Sequence, residues 1–206
     1  MQEEARRVNG IIRQFLSFAR PPKLDRRPVP VHELLTHVAS LVSGQAAEAG
    51  IALSVSAGDS AAASLDPEQM KQALLNIVQN AIEATPRGGK IFLAGSMVNG
   101  SVRFTVSDTG KGIPSEGLDK IFNLYYTTKA DGTGLGLSIT QQVVAQHGGT
   151  IDVASTEGEG TSITIDIPPA CRSTPNRRDR KTICPTVRGY LPVDLKSYPS
   201  IPIRGV

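Results

Sequence analysis

The segment KADGTGLGLSIT, Lys129 to Thr140, restricts the architecture of this chain more than any other stretch. Glycines at 132, 134 and 136 alternate with Thr133 and Leu135 and run directly into a helical pattern. A glycine turn that feeds a helix presents bare backbone N–H groups at the partially positive end of that helix, so an anion, and phosphate first, is the expected neighbour. Two familiar phosphate loops are excluded by position. The dinucleotide pattern G-x-G-x-x-G requires glycine at 137 or 139, where the chain has Leu137 and Ile139. The P-loop ending G-K-[ST] is also missing, because Gly110-Lys111 continues to Gly112. Taken alone, the segment reads equally well as a flexible loop that is merely rich in glycine.

Length and charge narrow the rest. A chain of 206 residues accommodates one ordinary domain with its own core and an appendage. No apolar run approaches the roughly 20 residues that cross a bilayer, and the N-terminus lacks a signal-peptide layout, so a cytoplasmic protein is expected. Residues 169–206 hold 8 of the 22 lysines and arginines and 2 of the 19 carboxylates, a charge of +6. The other 168 residues carry fourteen bases against seventeen acids, a charge of −3, which argues against nucleic-acid binding through a basic face. The tail also holds 6 of the 14 prolines and no sustained periodicity, so it reads as irregular. Both cysteines, Cys171 and Cys184, lie there without C-x-x-C spacing and read as free thiols.

Along the chain, Val8, Ile11, Ile12, Phe15, Leu16 and Ala19 form one stripe of an amphipathic helix stopped by Pro21-Pro22. A connector leads to Pro30, and a second helical pattern, Leu34 to Val42, runs to Ala49-Gly50. Ile51, Leu53 and Val55 alternate as a half-buried strand. Asp66-Pro67-Glu68-Gln69 predicts a helix start, with Asp66 as N-cap, Pro67 at the first helical position and Gln69 closing a capping box. That helix reaches Thr85. Besides its apolar stripe it carries a polar one, Gln72, Asn76, Asn80 and Glu83, which is either a solvated face or a site. Two strands follow around Asn99-Gly100, and the second ends in SDTGKGI, Ser107 to Ile113. A short helical stretch to Phe122, the glycine loop, a helix ending at His147-Gly148-Gly149 and a last hairpin through Glu157–Gly160 complete the order. An α+β fold is expected, with helices layered on one face of a largely antiparallel sheet.

Five segments in this order carry a resemblance: NIVQNAIEA (Asn76–Ala84), DTGKGI (Asp108–Ile113), IFNLYYTTK (Ile121–Lys129), GTGLGL (Gly132–Leu137) and GEGTSITI (Gly158–Ile165). They resemble the asparagine box, first glycine box, phenylalanine box, second glycine box and third glycine box of the ATP-binding domain of bacterial sensor histidine kinases. That domain belongs to a wider family with gyrase B and the Hsp90 chaperones. FLSFARPPK followed by PVPVHELL is similar to the form seen in nitrogen-regulation-type kinases. The resemblance implies a two-layer α/β sandwich, the Bergerat-type ATP-binding fold, over residues 24–168. It also implies the second helix of a dimerisation hairpin over 1–23 and leaves 169–206 as a basic, proline-containing tail.

By the same resemblance, Asp108 would accept a hydrogen bond from the adenine amine, with Gly110, Gly112 and Ile113 passing close to the base. Asn80 would hold Mg²⁺ through its amide oxygen, and Asn76 would line the same site. Gly132, Thr133, Gly134, Leu135, Gly136 and Leu137 would form a lid over the phosphates. Lys129 would neutralise charge and Thr161 would close the far side. Two departures matter: Glu83 stands where many kinases have a lysine or arginine, and Tyr125-Tyr126 replaces the commoner phenylalanines. The acceptor motif H-[ED]-x-x-x-P is absent from this chain, since His32-Glu33 continues as Leu34-Leu35-Thr36-His37. His32 and His37 read as residues of the linker helix, and His147 as a helix C-terminal residue favoured by the dipole.

The implied activity is a protein-histidine kinase that uses ATP and Mg²⁺ and is incomplete without an acceptor hairpin. Its implied partners are that hairpin, a response-regulator receiver domain and, in a full-length protein, a second protomer. The rivals are a nucleotide-gated binding module and an ATP hydrolase of the same fold. Hydrolytic relatives carry a glutamate base one turn before the metal-binding asparagine, and Asn76 occupies that place here.

Overall fold

The computed structural model describes residues 23–58, 62–129 and 132–169. The expected helix at Val8–Ala19, the tail and both cysteines lie outside the described residues.

A five-stranded sheet runs in the order β2-β4-β5-β7-β6, formed by β2 (Ala52–Ala57), β4 (Lys90–Val98), β5 (Ser101–Asp108), β6 (Thr150–Thr156) and β7 (Gly160–Ile167). The β2–β4 pair is parallel and the other three pairs are antiparallel. Asn99 at φ 51° and Gly100 at φ 81° make the tight turn between β4 and β5 that the Asn-Gly pair predicts. Helices α1 (Val31–Glu48), α2 (Pro67–Ala84) and α4 (Gly136–Gln146) pack on one face of this sheet. Leu35, Met70, Leu74, Ile77, Leu93, Phe104 and Ile165 are buried between the layers, as the period-2 and period-3.6 patterns require. The other face carries small polar side chains, among them Ser107 and Ser162, whose hydroxyls meet at 2.8 Å. The expected α+β sandwich is therefore the observed one.

Two expectations need correction. The connector before Pro30 contains β1 (Arg27–Pro30), which pairs antiparallel with β3 (Ala62–Leu65) in a separate two-stranded sheet. Its two prolines argue against a strand, but a ribbon of two strands leaves each one an outer edge, where a missing N–H breaks no ladder. The helical stretch predicted to Phe122 is a single turn, α3 (Ser115–Leu118), followed by turns. Gly117 inside that stretch and Asn123 just after it are poor helix formers, which leaves the turn without support.

The α2 start also differs in detail. Asp66 Oδ1 accepts from the backbone N–H groups of Glu68 and Gln69, both at 3.1 Å, and Pro67 begins the helix. Gln69 does not close a capping box. Its amide donates to Asp66 Oδ2 at 3.0 Å, and the Asp66 N–H is taken by Nε2 of His147 at 2.9 Å. Asp66 Oδ2 also accepts the N–H of Asp25. Burial raises the Asp66 carboxyl, but the hydrogen bonds from Asp25, Gln69 and Glu68 outweigh it and hold the group below its ordinary value.

His147 is thus no exposed cation at a helix end. It is fully buried, its Nδ1 lies 2.8 Å from the Val143 carbonyl, and Nε2 is left to accept. That pairing fixes the neutral ring with the proton on Nδ1. Burial lowers its pKa, with Arg26 adding to the effect and the Val143 carbonyl and Asp66 opposing it. The ring ties the end of α4 to the start of α2, the helix that carries both asparagines.

Candidate nucleotide site

An open cavity of about 1070 Å³ lies between the C-terminal half of α2, the end of β5 and the loop that leads into α4. Ile77, Val106 and Ile163 supply apolar wall, and Asp108 stands beside them. The register explains why. Asp108 faces the same side of β5 as Val106, Phe104 and Val102 and sits opposite Ile91 and Thr161, so the strand delivers a carboxylate to the core face of the sheet.

Its surroundings satisfy one oxygen and leave the other. Asp108 Oδ1 accepts the N–H of Gly110 at 2.8 Å and that of Thr161 at 3.2 Å. Oδ2 has no protein partner among the described residues. Burial raises the Asp108 carboxyl above its ordinary value, and the Gly110 and Thr161 bonds oppose that shift. A buried carboxylate with one unused acceptor is set for a ligand donor.

The glycines of the first loop are steric necessities. Gly112 has φ 68°, and a Cβ there would lie 2.1 Å from the Thr156 carbonyl oxygen. Gly110 does not line the cavity; it stands behind Asp108 and holds it through its N–H. The Ile113 N–H donates to Ser155 Oγ at 2.8 Å, and Ser155 bonds in turn to the Gly160 carbonyl and the Thr161 hydroxyl. Ser155 was invisible to motif reading, although its inward register on β6 opposite Thr161 marks it.

The second glycine loop is clasped to the aromatic loop. Gly134, at φ 65°, accepts the N–H of Tyr125 at 3.0 Å, and Tyr125 itself has φ 64°. A Cβ on Gly134 would lie 2.4 Å from the Tyr125 carbonyl carbon. Gly132, Thr133, Gly136 and Leu137 line the cavity, whereas Leu135 is buried in the core and forms no part of its wall. A leucine at the N-terminal boundary of an amphipathic helix is placed by that helix's apolar face.

Of the polar stripe of α2, Asn76, Asn80 and Glu83 line the cavity. Asn76 is buried, its amide accepting from Gln72 at 3.0 Å and donating to the Gly136 carbonyl at 3.1 Å, which pins α2 to the start of α4. Asn80 Oδ1 accepts from Lys129 Nζ at 2.7 Å, and the same ammonium contacts the Glu83 carboxylate. A cation thus already lies against two hard oxygen donors, the donor type that suits Mg²⁺. Asn80 and Glu83 therefore fit the ion. Among the described residues no group of three or more His, Cys, Asp or Glu side chains could hold a metal, so an ion here would rely on water and ligand phosphate for its remaining positions. Lys111, Lys120 and Tyr126 also line the cavity. Lys111 lies inside the first glycine box, Tyr126 inside the aromatic box and Lys120 one residue before it, and those places were the available signal.

Fold and cavity define a two-layer α/β domain with an open pocket between its central helix and its sheet. Residues 65–170 match the family model for histidine kinase-, DNA gyrase B- and HSP90-like ATPases, and the chain belongs to that family. It is 41% identical to the sensor histidine kinase ZraS of Escherichia coli (strain K12) over 169 residues, 82% of this chain and 36% of that protein. The chain thus spans little more than a third of that relative. Among solved structures it is similar to the catalytic domain of the histidine kinase ThkA (TM-score 0.65, 34% identity, 70% of this chain and 95% of that one). ThkA in complex with the response regulator protein TrrA gives a TM-score of 0.69 at 30% identity, over 81% of this chain and 48% of that one. Full-length ShkA in complex with AMPPNP gives 0.74 at 31% identity, over 81% of this chain and 36% of that one. No described helix is long and apolar enough to cross a membrane.

Proposed function

We propose that this chain is the ATP-binding kinase domain of a two-component sensor histidine kinase, working in the cytoplasm on a histidine supplied by a separate hairpin. The observation that carries the reading is the half-satisfied Asp108 carboxylate on the cavity wall. Oδ2 accepts the exocyclic amine of adenine while Oδ1 stays tied to the backbone, so the base is read by a group that cannot rotate away. The lid backbone from Gly132 to Gly136 and the start of α4 receive the phosphates. Lys129 supplies charge there, and Asn80 would hold Mg²⁺ through its amide oxygen, an ion that would neutralise phosphate oxygens when bound. A histidine ring nitrogen attacks the γ-phosphorus, and the electron pair of the broken bond leaves on the β-phosphate oxygen of ADP. Positioning and charge neutralisation are what the protein contributes. A response-regulator receiver domain then takes the phosphoryl group, and the full-length protein works as a homodimer.

The hydrolase reading lacks a base. Asn76 cannot take a proton, and both ends of its amide are engaged by Gln72 and Gly136. Incubation with Mg-ATP and the acceptor hairpin of a related kinase should put acid-labile phosphate on the hairpin, while the chain alone takes up none and does not turn ATP over. Steady ATP hydrolysis without a hairpin would favour the hydrolase. Nucleotide binding with no transfer to any hairpin would leave a binding module.

A further inference from the structure

Lys129 belongs to the segment leading into the lid, yet its ammonium is planted on α2, against Asn80 Oδ1 and the Glu83 carboxylate. Asn80 and Glu83 lie three residues apart and so share one face of the helix. Both donors are oxygens and one carries a full charge, so together they make a seat for a cation. We propose that this seat is exchanged: Lys129 fills it in the nucleotide-free protein, and the divalent ion that arrives with the nucleotide takes it over and frees Lys129 for the phosphates. The proposal rests on the nucleotide reading of the cavity. It adds Glu83 to the metal site and makes Lys129 the occupant that the ion displaces.

The energetics permit the exchange. The Lys129 side chain is 39% exposed and that of Glu83 is 55% exposed. A pair this wet shifts an equilibrium by no more than about fivefold, whereas a doubly charged ion gains more from the same carboxylate. Displacement also leaves no buried charge without a partner, because the freed ammonium meets water or phosphate. Glu83 occupies the place where many kinases have a base, so this chain carries its phosphate cation at Lys129, ahead of the second glycine loop, and its counter-charge on α2. Freeing the lysine and loading the metal then become one event: while Lys129 sits on Asn80, the metal position is blocked and the lysine is withheld from the phosphates.

The test uses the 206-residue chain with Mn²⁺ as probe, its binding followed by electron paramagnetic resonance without nucleotide. Lys129→Gln should tighten Mn²⁺ by about threefold to fivefold, because the competing ammonium is gone. Glu83→Gln should weaken it and raise the Mg²⁺ concentration at which AMPPNP binding is half-maximal in calorimetry by about tenfold. Unchanged Mn²⁺ affinity in Lys129→Gln overturns the exchange, whatever Glu83→Gln does. An unchanged Mg²⁺ requirement in Glu83→Gln removes Glu83 from the site. A wild-type chain that binds no AMPPNP at any Mg²⁺ concentration overturns the nucleotide reading itself, an outcome distinct from the other two.

Discussion

The two oxygens of Asp108 have different jobs, and Asp108→Asn separates them. Both backbone bonds, from Gly110 and Thr161, converge on Oδ1, and an asparagine can keep both through its amide oxygen. Its NH₂ group is then forced into the place of Oδ2. Adenine presents an amine at this point, so donor meets donor. The loss is one hydrogen bond to a charged acceptor, about 1.5–3 kcal/mol, or roughly ten- to a hundredfold in ATP affinity. Inosine triphosphate carries a carbonyl oxygen where adenine has the amine, so the same substitution should improve its binding relative to wild type. Fold stability should not suffer. Asp108 has a raised pKa in the folded chain, so at neutral pH its charge opposes folding, and a neutral amide removes that opposition.

The assay is calorimetric titration of wild type and Asp108→Asn with ATP and with inosine triphosphate, together with thermal melts of the unliganded proteins. A preference that moves towards inosine triphosphate with an unchanged or higher melting temperature is expected. Unaltered ATP affinity would refute the assignment of Oδ2 to the base. A collapse in melting temperature would refute the division of labour between the oxygens, since it would mean that the charge itself holds the loop.

The remaining predictions concern the elements around the site. His147 is neutral in the fold and its pKa is lowered from 6.5, so the stability it contributes is complete above that value and is lost as pH falls below it. Melts of wild type and His147→Gln should therefore differ most at pH near 7.5 and converge towards pH 5.5; a constant gap would show that the ring does not titrate through folding. The comparison with the variant is needed because Asp108, whose pKa is raised, gains stability on acidification in the opposite sense. Gly134→Ala should cost about 1–2 kcal/mol from its positive φ alone, plus the clash with Tyr125, and lower the melting temperature. Gly136→Ala should be neutral or slightly stabilising, since a Cβ there lies 3.8 Å from Asn76 in ordinary contact; equal effects at the two glycines would refute the clasp between lid and aromatic loop.

Elements that local chemistry decides are legible in the sequence. Asp66-Pro67 starts α2 because a side-chain acceptor and a fixed φ act within one turn, and Asn99-Gly100 turns the β4–β5 hairpin because its dihedrals favour few other pairs. Contacts distant in sequence are not. The β1–β3 ribbon depends on pairing residues 27–30 with 62–65, and prolines in the first segment mask it. Gln69 has the spacing of a capping box, but the orphan N–H it should satisfy is claimed by His147, 81 residues away. Leu135 sits inside the glycine motif and still belongs to the core, because motif membership follows the chain while burial follows the helix face.

The same contrast shows what makes Asp108 informative. A carboxylate at an inward position of a strand is expensive to bury, and Asp108 takes that position by continuing the alternation of Val102, Phe104 and Val106. Its burial pushes the pKa up, and two backbone N–H groups partly offset that cost without removing it. The residue is thus less stable than it could be, and an amide would serve the fold at least as well. A polar side chain placed where the fold does not need its charge points to a ligand donor, which we propose is adenine's amine. The loops follow from that fixed point: Gly110 and Thr161 hold the carboxylate, Ser155 ties the first glycine loop to β6, and the Gly134–Tyr125 clasp ties the second glycine loop to the aromatic loop. The backbone hydrogen bonds are therefore gathered around Asp108. The Lys129 contact with Glu83 is by contrast half exposed to water, and that is the condition the proposed exchange at this end of the cavity needs.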